Sequence, residues 1–319
     1  MDKISNVIIC GLGAIGTAFG EKILANAPDT LRVLVDEERL NRYTKTPRII
    51  NNKALNFNYV LPENKDSFKA DLIIIAVKSH NLDEVIQNIE HFVTEDTIII
   101  SLLNGVTSEE KIAQKYGWEN ILPAFYIGSS AMRNETKIRH DGIATIVFGA
   151  KNHSQISKVN VVKRYFDSVK IDCKISPNIE RSLWVKFMLN VACNQLSAIF
   201  GYTFKDMQNN YLFKNLATKI MEEVKLCAVA EGIKNTDSMI NEVFEHIQTI
   251  TPEGKTSMLQ DIEAGRKTEV DIFAGSVIEI GQRHKISTPI NKQLKNIINQ
   301  LEQKKLPQSQ IETLCKIVQ

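Results

Sequence analysis

Val7-Ile8-Ile9-Cys10-Gly11-Leu12-Gly13-Ala14-Ile15-Gly16 runs from a short apolar segment into a Gly-x-Gly-x-x-Gly loop, and Ala14–Ala27 continues with helical spacing up to Pro28-Asp29. A dinucleotide pyrophosphate needs backbone to come close, which side chains would block. Gly11 permits the tight turn, Gly13 admits the phosphates, and Gly16 lets the helix pack on the strand. The helix N-terminus then offers unpaired N–H groups and partial positive charge. A glycine pattern alone is weak, and a turn without a ligand would look the same. Its place at a strand end and a helix start, inside the first strand pair, is the context that gives it meaning. Gly11, Leu12, Gly13, Ala14, Ile15 and Gly16 are therefore the expected cofactor-binding loop.

Working outward, Leu31–Val35 reads as a second strand, followed by a charged stretch from Asp36 to Lys45. Leu72–Val77 and Thr97–Leu103 are nearly continuous Ile/Leu/Val runs, as in strands buried on both faces of a parallel sheet. Helical segments follow near Asn81–Phe92 and Ser108–Tyr116, so strands and helices alternate as in an open α/β sheet. Ile121–Ser130 and Ile143–Gly149 read as further strands joined by a polar stretch, Arg133 to Gly142. Gln155–Phe166 is expected to be helical and Val169–Ile175 a last strand. Past Pro177-Asn178 the spacing is helical throughout: Ile179–Phe200, Leu212–Glu231, Met239–Thr249, Val270–His284 and Pro289–Gln303. Two domains are expected, residues 1–176 (α/β) and residues 177–319 (all-helical), with no repeat and no low-complexity segment.

The 319 residues, 43% hydrophobic and 24% charged, suit two globular domains and exclude a disordered, collagenous or disulfide-scaffold chain. Lys and Arg number 39 against 37 Asp and Glu, so no global field points to nucleic acid or membrane, and aromatics do not interleave with a basic patch. The longest apolar runs are strand-sized, short of the roughly 20 residues of a membrane span. The Met1-Asp2-Lys3 start has no signal-peptide pattern. Five scattered cysteines without Cys-x-x-Cys fit reduced thiols in a cytoplasmic protein. The six histidines form no His-x-x-x-His or His/Cys cluster, so no metal is expected.

Asp36 ends the second strand, twenty residues after Gly16, where an acid usually accepts from the ribose hydroxyls of NAD. Arg39 and Arg42 follow at once; they suit a 2′-phosphate or a solvated helix face, and this position leaves the cofactor open. Lys78 and Asn104-Gly105 each end a buried strand, on the side of an open sheet where ligands bind, though turn chemistry also places such residues there. Lys186, Asn190 and Asn194 are spaced by four and share one helix face, flanked by Leu183, Phe187, Val191 and Leu196. Such a stripe suits an oxygen-rich small molecule, and a desolvated Lys becomes a usable proton donor near neutral pH; an exposed polar face is the plain alternative. Ser257 and Glu269 each read equally well as helix-start chemistry.

Together these residues resemble the ketopantoate reductase (2-dehydropantoate 2-reductase) family. The matching pieces are Gly11–Gly16, Val77-Lys78, Leu103-Asn104-Gly105, Trp184-Val185-Lys186 with Asn190 and Asn194, Ser257-Met258-Leu259-Gln260-Asp261, and Thr268-Glu269-Val270-Asp271, in the family's order over nearly the whole chain. The resemblance implies an N-terminal Rossmann domain, a helical C-terminal domain, a cleft between them, and NADPH-dependent reduction of an α-keto acid. Lys186 would be the general acid, Asn190 and Asn194 substrate contacts, and Ser257 the carboxylate contact. Lys78, Asn104 and Glu269 would line the nicotinamide end, with Glu269 orienting Lys186 or the ribose. Two departures stand out. Gln195 occupies a usual proline position, with Phe204 where a further polar contact is expected, which bears on substrate identity. Asp36 replaces an Arg common in NADPH users, which leaves NAD open. The partner expected is a small keto acid, and the apolar helical faces also suit a homodimer. Two alternatives stand beside this reading: a paralogue acting on another keto or hydroxy acid, and a dinucleotide-sensing protein without turnover.

Overall fold

Five parallel strands carry the first half of the chain: β1 (Val7–Cys10), β2 (Leu31–Leu34), β5 (Tyr59–Val60), β6 (Leu72–Ile75) and β7 (Ile98–Ser101), in the order β5-β2-β1-β6-β7. The computed structural model describes residues 2–63, 68–128, 131–134, 137–140, 144–305 and 308–316; the expected strand ends at Ser129-Ser130 and Ile143 lie outside them. The strand order is that of a nucleotide-binding sheet, reversing direction of travel at β1. Helices α1 (Ala14–Asn26), α2 (Glu37–Lys45), α3 (Leu82–Asn88) and α4 (Ser108–Tyr116) lie between the strands.

The sheet is apolar on both faces because its strands alternate between two cores. Val7, Ile9, Val33, Leu72, Ile74, Ile98 and Ile100 enter one; Ile8, Cys10, Leu34, Ile73, Ile75 and Ile99 enter the other. A fully buried Ile contributes about 1.5–3 kcal/mol relative to an exposed one, which is why these runs contain almost nothing polar.

Two small sheets complete this unit. One pairs β3 (Arg48–Ile50), β4 (Lys53–Leu55), β9 (Ala131–Asn134) and β10 (Lys137–His140); the other pairs β8 (Ala124–Ile127), β11 (Thr145–Phe148) and β12 (Cys173–Ile175). Helix α5 (Ile156–Ser168) lies between β11 and β12. The β9–β10 hairpin occupies most of the stretch expected to be a polar connection, and the β3–β4 hairpin was not foreseen. Its turn is Asn51-Asn52 with φ of 43° and 69°, the left-handed pair that a two-residue hairpin of this twist requires.

The chain divides into two compact units, Met1–Ile179 and Glu180–Gln319. Among the described residues the second unit contains no strand. It is built from α6 (Ile179–Phe200), α7 (Phe204–Asn209), α8 (Tyr211–Ala230), α9 (Met239–Thr249), α10 (Ser257–Glu263), α11 (Ser276–Arg283), α12 (Pro289–Glu302) and α13 (Gln308–Lys316). The expected helix Val270–His284 is instead a π-turn, Asp271–Gly275, running into α11. Helix α6 has the length and mean hydropathy of a membrane span (22 residues, 1.2), but 67% of that window is buried inside the protein.

Candidate active site

In the first unit, the glycine loop leaves β1 beside the end of β6. At Gly11, φ is +100°, and a Cβ there would lie 2.7 Å from the Ala76 carbonyl oxygen; at Gly16 it would lie 1.9 Å from the Gly11 oxygen. Both glycines are thus required by the protein's own packing. Gly13 is different. Its φ and ψ of −71° and −168° suit any residue, and an added Cβ would meet nothing closer than the Ala76 oxygen at 4.0 Å. The loop keeps open space over Gly13 at the start of α1, whose first turn holds no acidic residue, and this is the opening a dinucleotide pyrophosphate fits. Thr17, four residues on from Gly13, buries a hydroxyl that no protein group satisfies.

Cys10, Ile75 and Ser101 are in register across β1, β6 and β7, so the glycine loop, Lys78 and Asn104 leave the same edge of the sheet. Lys78 is exposed and precedes a short 3-10 turn, Ser79–Asn81; Asn104 is half-buried, beside Gly105 at φ +97°. Beneath the Asn104 loop lies a buried polar chain that sequence reasoning missed. Ser101 Oγ donates to Ser108 Oγ (2.9 Å), which donates to Glu109 Oε2 (2.8 Å), while the Leu103 N–H reaches Ser101 Oγ at 3.4 Å. This chain ties the two ends of the loop together.

At the end of β2, Asp36 caps α2: its Oδ1 accepts from the Arg39 N–H at 2.6 Å, and its Oδ2 forms an ion pair with the Arg39 guanidinium. The acid and the base expected to compete over cofactor type are therefore paired with each other. Arg42 is half-exposed, pairs with Glu38 at 3.5 Å and stacks near Tyr43, as a residue on a solvated face does.

The second unit gathers the polar stripe on α6. Asn194 is buried, and its Oδ1 accepts from Ser257 Oγ (3.1 Å) and from the Met258 N–H (3.2 Å); its Nδ2 reaches Asn190 Oδ1 at 3.4 Å. Lys186 and Asn190 are half-buried, one turn apart, with Leu183, Phe187 and Val191 buried beside them. Ser257 does not cap α10, since Thr256 does so through the Leu259 N–H; its hydroxyl is left for Asn194. Glu269 is half-buried in the link before the π-turn, and Asp261 is paired with Arg266 at 2.8 Å.

Gln195 is fully buried, its Nε2 donating to the Val191 carbonyl (2.7 Å) and reaching Asn291 Oδ1 at 3.5 Å. Asn291 in turn donates to Glu223, whose two oxygens also accept the first N–H groups of α12 from Ile290 and Asn291. Gln195 belongs to this core network. Phe204 packs on Gly254, where an added Cβ would come within 3.2 Å of its ring. Among the described residues no group of three His, Cys, Asp or Glu side chains suits a metal ion.

A parallel nucleotide-binding sheet with an open glycine cradle, joined to a helical unit that lines up a Lys with two Asn and a Ser, defines a nicotinamide-dependent oxidoreductase. Models of the ketopantoate reductase PanE/ApbA family match residues 7–153 and, for its C-terminal part, residues 178–302, and the chain belongs to that family. It is 25% identical over 286 residues to the uncharacterized oxidoreductase YkpB of Bacillus subtilis (strain 168), covering 89% of this chain and 94% of that protein. It is 27% identical over 293 residues to the 2-dehydropantoate 2-reductase of Pyrococcus abyssi (strain GE5 / Orsay), covering 92% and 96%. A solved ternary structure of D-mandelate dehydrogenase with NADH and anilino(oxo)acetate matches with a TM-score of 0.82 at 21% identity, over 94% of this chain and 99% of that one, a likeness of fold.

Proposed function

We propose that the chain reduces ketopantoate to pantoate with NADPH in the cytoplasm, with residues 1–176 holding the cofactor, residues 177–319 holding the keto acid, and Lys186 as general acid. The observation that carries this reading is the hydrogen-bonded series Asn190, Asn194 and Ser257, beginning one turn from Lys186 on α6. A bound nicotinamide dinucleotide supplies the hydride that attacks the ketone carbon. Lys186 Nζ gives its proton to the ketone oxygen as the carbonyl bond opens, and its ammonium offsets the developing alkoxide charge, the kind of interaction that contributes most to such a step. Ketone, hydride and proton together account for every atom of the alcohol.

Asn194 has both lone-pair directions of Oδ1 taken by Ser257 and Met258, so its amide N–H is aimed rather than free to flip. It and Asn190 bind substrate oxygens; when substrate is bound, Ser257 gives up its bond to Asn194 and donates its one proton to the carboxylate, while the Met258 N–H still holds Asn194 Oδ1. Gly13 and the first turn of α1 hold the pyrophosphate; Lys78, Asn104 and Glu269 attend the nicotinamide end. Arg39 neutralises Asp36, and in this reading it is the group that meets a 2′-phosphate. A second reading, NADH use with another 2-keto or 2-hydroxy acid, is favoured by Asp36 itself as an acceptor for ribose hydroxyls.

Cofactor oxidation followed by absorbance, with NADPH and NADH against ketopantoate and a panel of aliphatic and aromatic 2-keto acids, tests both. The expected result is the highest kcat/KM for ketopantoate with NADPH. A hundredfold preference for another keto acid, or for NADH, replaces that part of the reading. Cofactor binding without turnover of any keto acid leaves a dinucleotide-sensing protein.

A further inference from the structure

Thr268–Asp271, the link that carries Glu269, is tied at both ends to one face of α12. Glu302, in the last turn of that helix, accepts with a single oxygen, Oε1, from the Thr268 N–H (2.7 Å) and from the Thr268 hydroxyl (2.6 Å). The same hydroxyl oxygen accepts the Val270 N–H at 3.2 Å, and Thr268 is buried. At the other end Asp271 meets Lys295 Nζ at 2.8 Å. Lys295 and Glu302 are seven residues apart, two helical turns, so both lie on one stripe of α12.

The two tethers differ in weight. The Lys295–Asp271 pair is partly exposed, and such pairs contribute little. The Glu302–Thr268 contacts are charge-assisted and directed at a buried residue, and bonds of that kind are roughly twice as strong as neutral ones. Directly after the link comes the π-turn Asp271–Gly275, where the backbone ladder is out of α-helical register. A helix beginning irregularly does not by itself fix the backbone in front of it. Glu302 does, through two hydrogen bonds to Thr268, whose hydroxyl oxygen in turn accepts the Val270 N–H, so that Glu269 is bracketed on both sides.

We propose that Glu302 is a positioning residue: by holding Thr268 it sets where the Glu269 carboxylate is presented. This rests on the reading above that Glu269 attends the nicotinamide end. A cavity of about 410 Å³ lined by Arg266, Lys267, Asn299 and Glu302, among others, adjoins the anchor. That pocket is open to solvent, so water can reach position 302 when the carboxylate is removed.

The test is a double-mutant cycle in the full-length enzyme with Glu302→Ala, Glu269→Ala and the two combined, alongside Glu302→Gln; kcat, KM, NADPH dissociation constant and Tm are read for each. Glu302→Ala is expected to lower kcat about tenfold, with KM for the keto acid within twofold. Glu302→Gln, which keeps a carbonyl oxygen for both Thr268 donors, recovers most of the loss. In the Glu269→Ala background Glu302→Ala adds less than twofold. An equal loss in both backgrounds, or no loss in either, overturns the proposal. Where Glu302→Ala does not fold, Thr268→Val takes its place in the cycle. If the wild-type chain turns over no keto acid, the proposed reaction falls separately, and the NADPH dissociation constants decide: non-additivity with Glu269 supports the anchor, and additive or unchanged values overturn it.

Discussion

At Gly16 a single added methyl would sit 1.9 Å from the Gly11 carbonyl oxygen, whereas three positions earlier, at Gly13, it would find open space. The same residue type thus has two separable consequences, close helix-to-strand packing at Gly16 and unfilled space at Gly13, where the cofactor is proposed to sit. Gly13→Ala is expected to leave Tm unchanged or slightly raised, because its backbone angles suit alanine and the unfolded chain loses freedom worth about 0.4–1 kcal/mol. Its NADPH affinity, read by fluorescence titration, is expected to fall at least tenfold. Gly16→Ala is expected to lose stability first. Equal effects of the two substitutions on Tm would contradict this division. Asn194 shows the same economy in the second unit: its Oδ1 serves Ser257 and a backbone N–H, so the residue both fastens α10 to α6 and orients its own amide.

Among the elements, α6 bears the polar stripe and is pinned near its start. Arg181 donates to both Glu242 oxygens on α9, to Ser238 Oγ and to the Asn235 carbonyl. Hydrogen bonding from Arg181, then from Ser238, pulls the Glu242 carboxyl from 4.5 to about 2. A depressed carboxylate adds stability that is fully present above its unfolded value and is lost as pH falls toward the folded one. The stability gap between wild type and Arg181→Met, measured by denaturant unfolding, is therefore expected to be largest above about pH 4.5 and to close toward pH 2; a gap constant across that window would contradict the pairing. Elements whose burial is one-dimensional were legible in the sequence: the Ile-rich β6 and β7, or α4 and α9, whose ends at Ser108, Tyr116, Met239 and Thr249 follow the apolar spacing. The β3–β4 hairpin was not, because three-residue strands carry too little alternation and its turn is an Asn-Asn pair with no glycine to mark it. The π-turn reads as an ordinary helix because one added residue in the ladder leaves the apolar spacing nearly intact.

Across the whole molecule, the candidate site residues that the sequence singles out are those whose chemistry is local: a glycine loop between strand and helix, and Lys186, Asn190 and Asn194 at intervals of four. The contacts that tie such residues in place are not legible in the sequence, because they join distant parts of the chain. Glu302 reaches back 34 residues to Thr268, and Ser257 reaches 63 residues to Asn194. Gln195 looked like a specificity determinant from its neighbours in sequence, and only three-dimensional packing assigns it to the core with Asn291. The central claim is that this chain transfers hydride and proton to a keto acid with Lys186 as the donor. The most direct measurement is NADPH oxidation with ketopantoate by wild type and Lys186→Ala, with NADPH affinity determined in parallel. The expected result is turnover in the wild type and a loss of at least a thousandfold in kcat for the variant, on the order of 4 kcal/mol in barrier, with cofactor affinity within a few-fold. A variant that retains wild-type kcat would contradict the account.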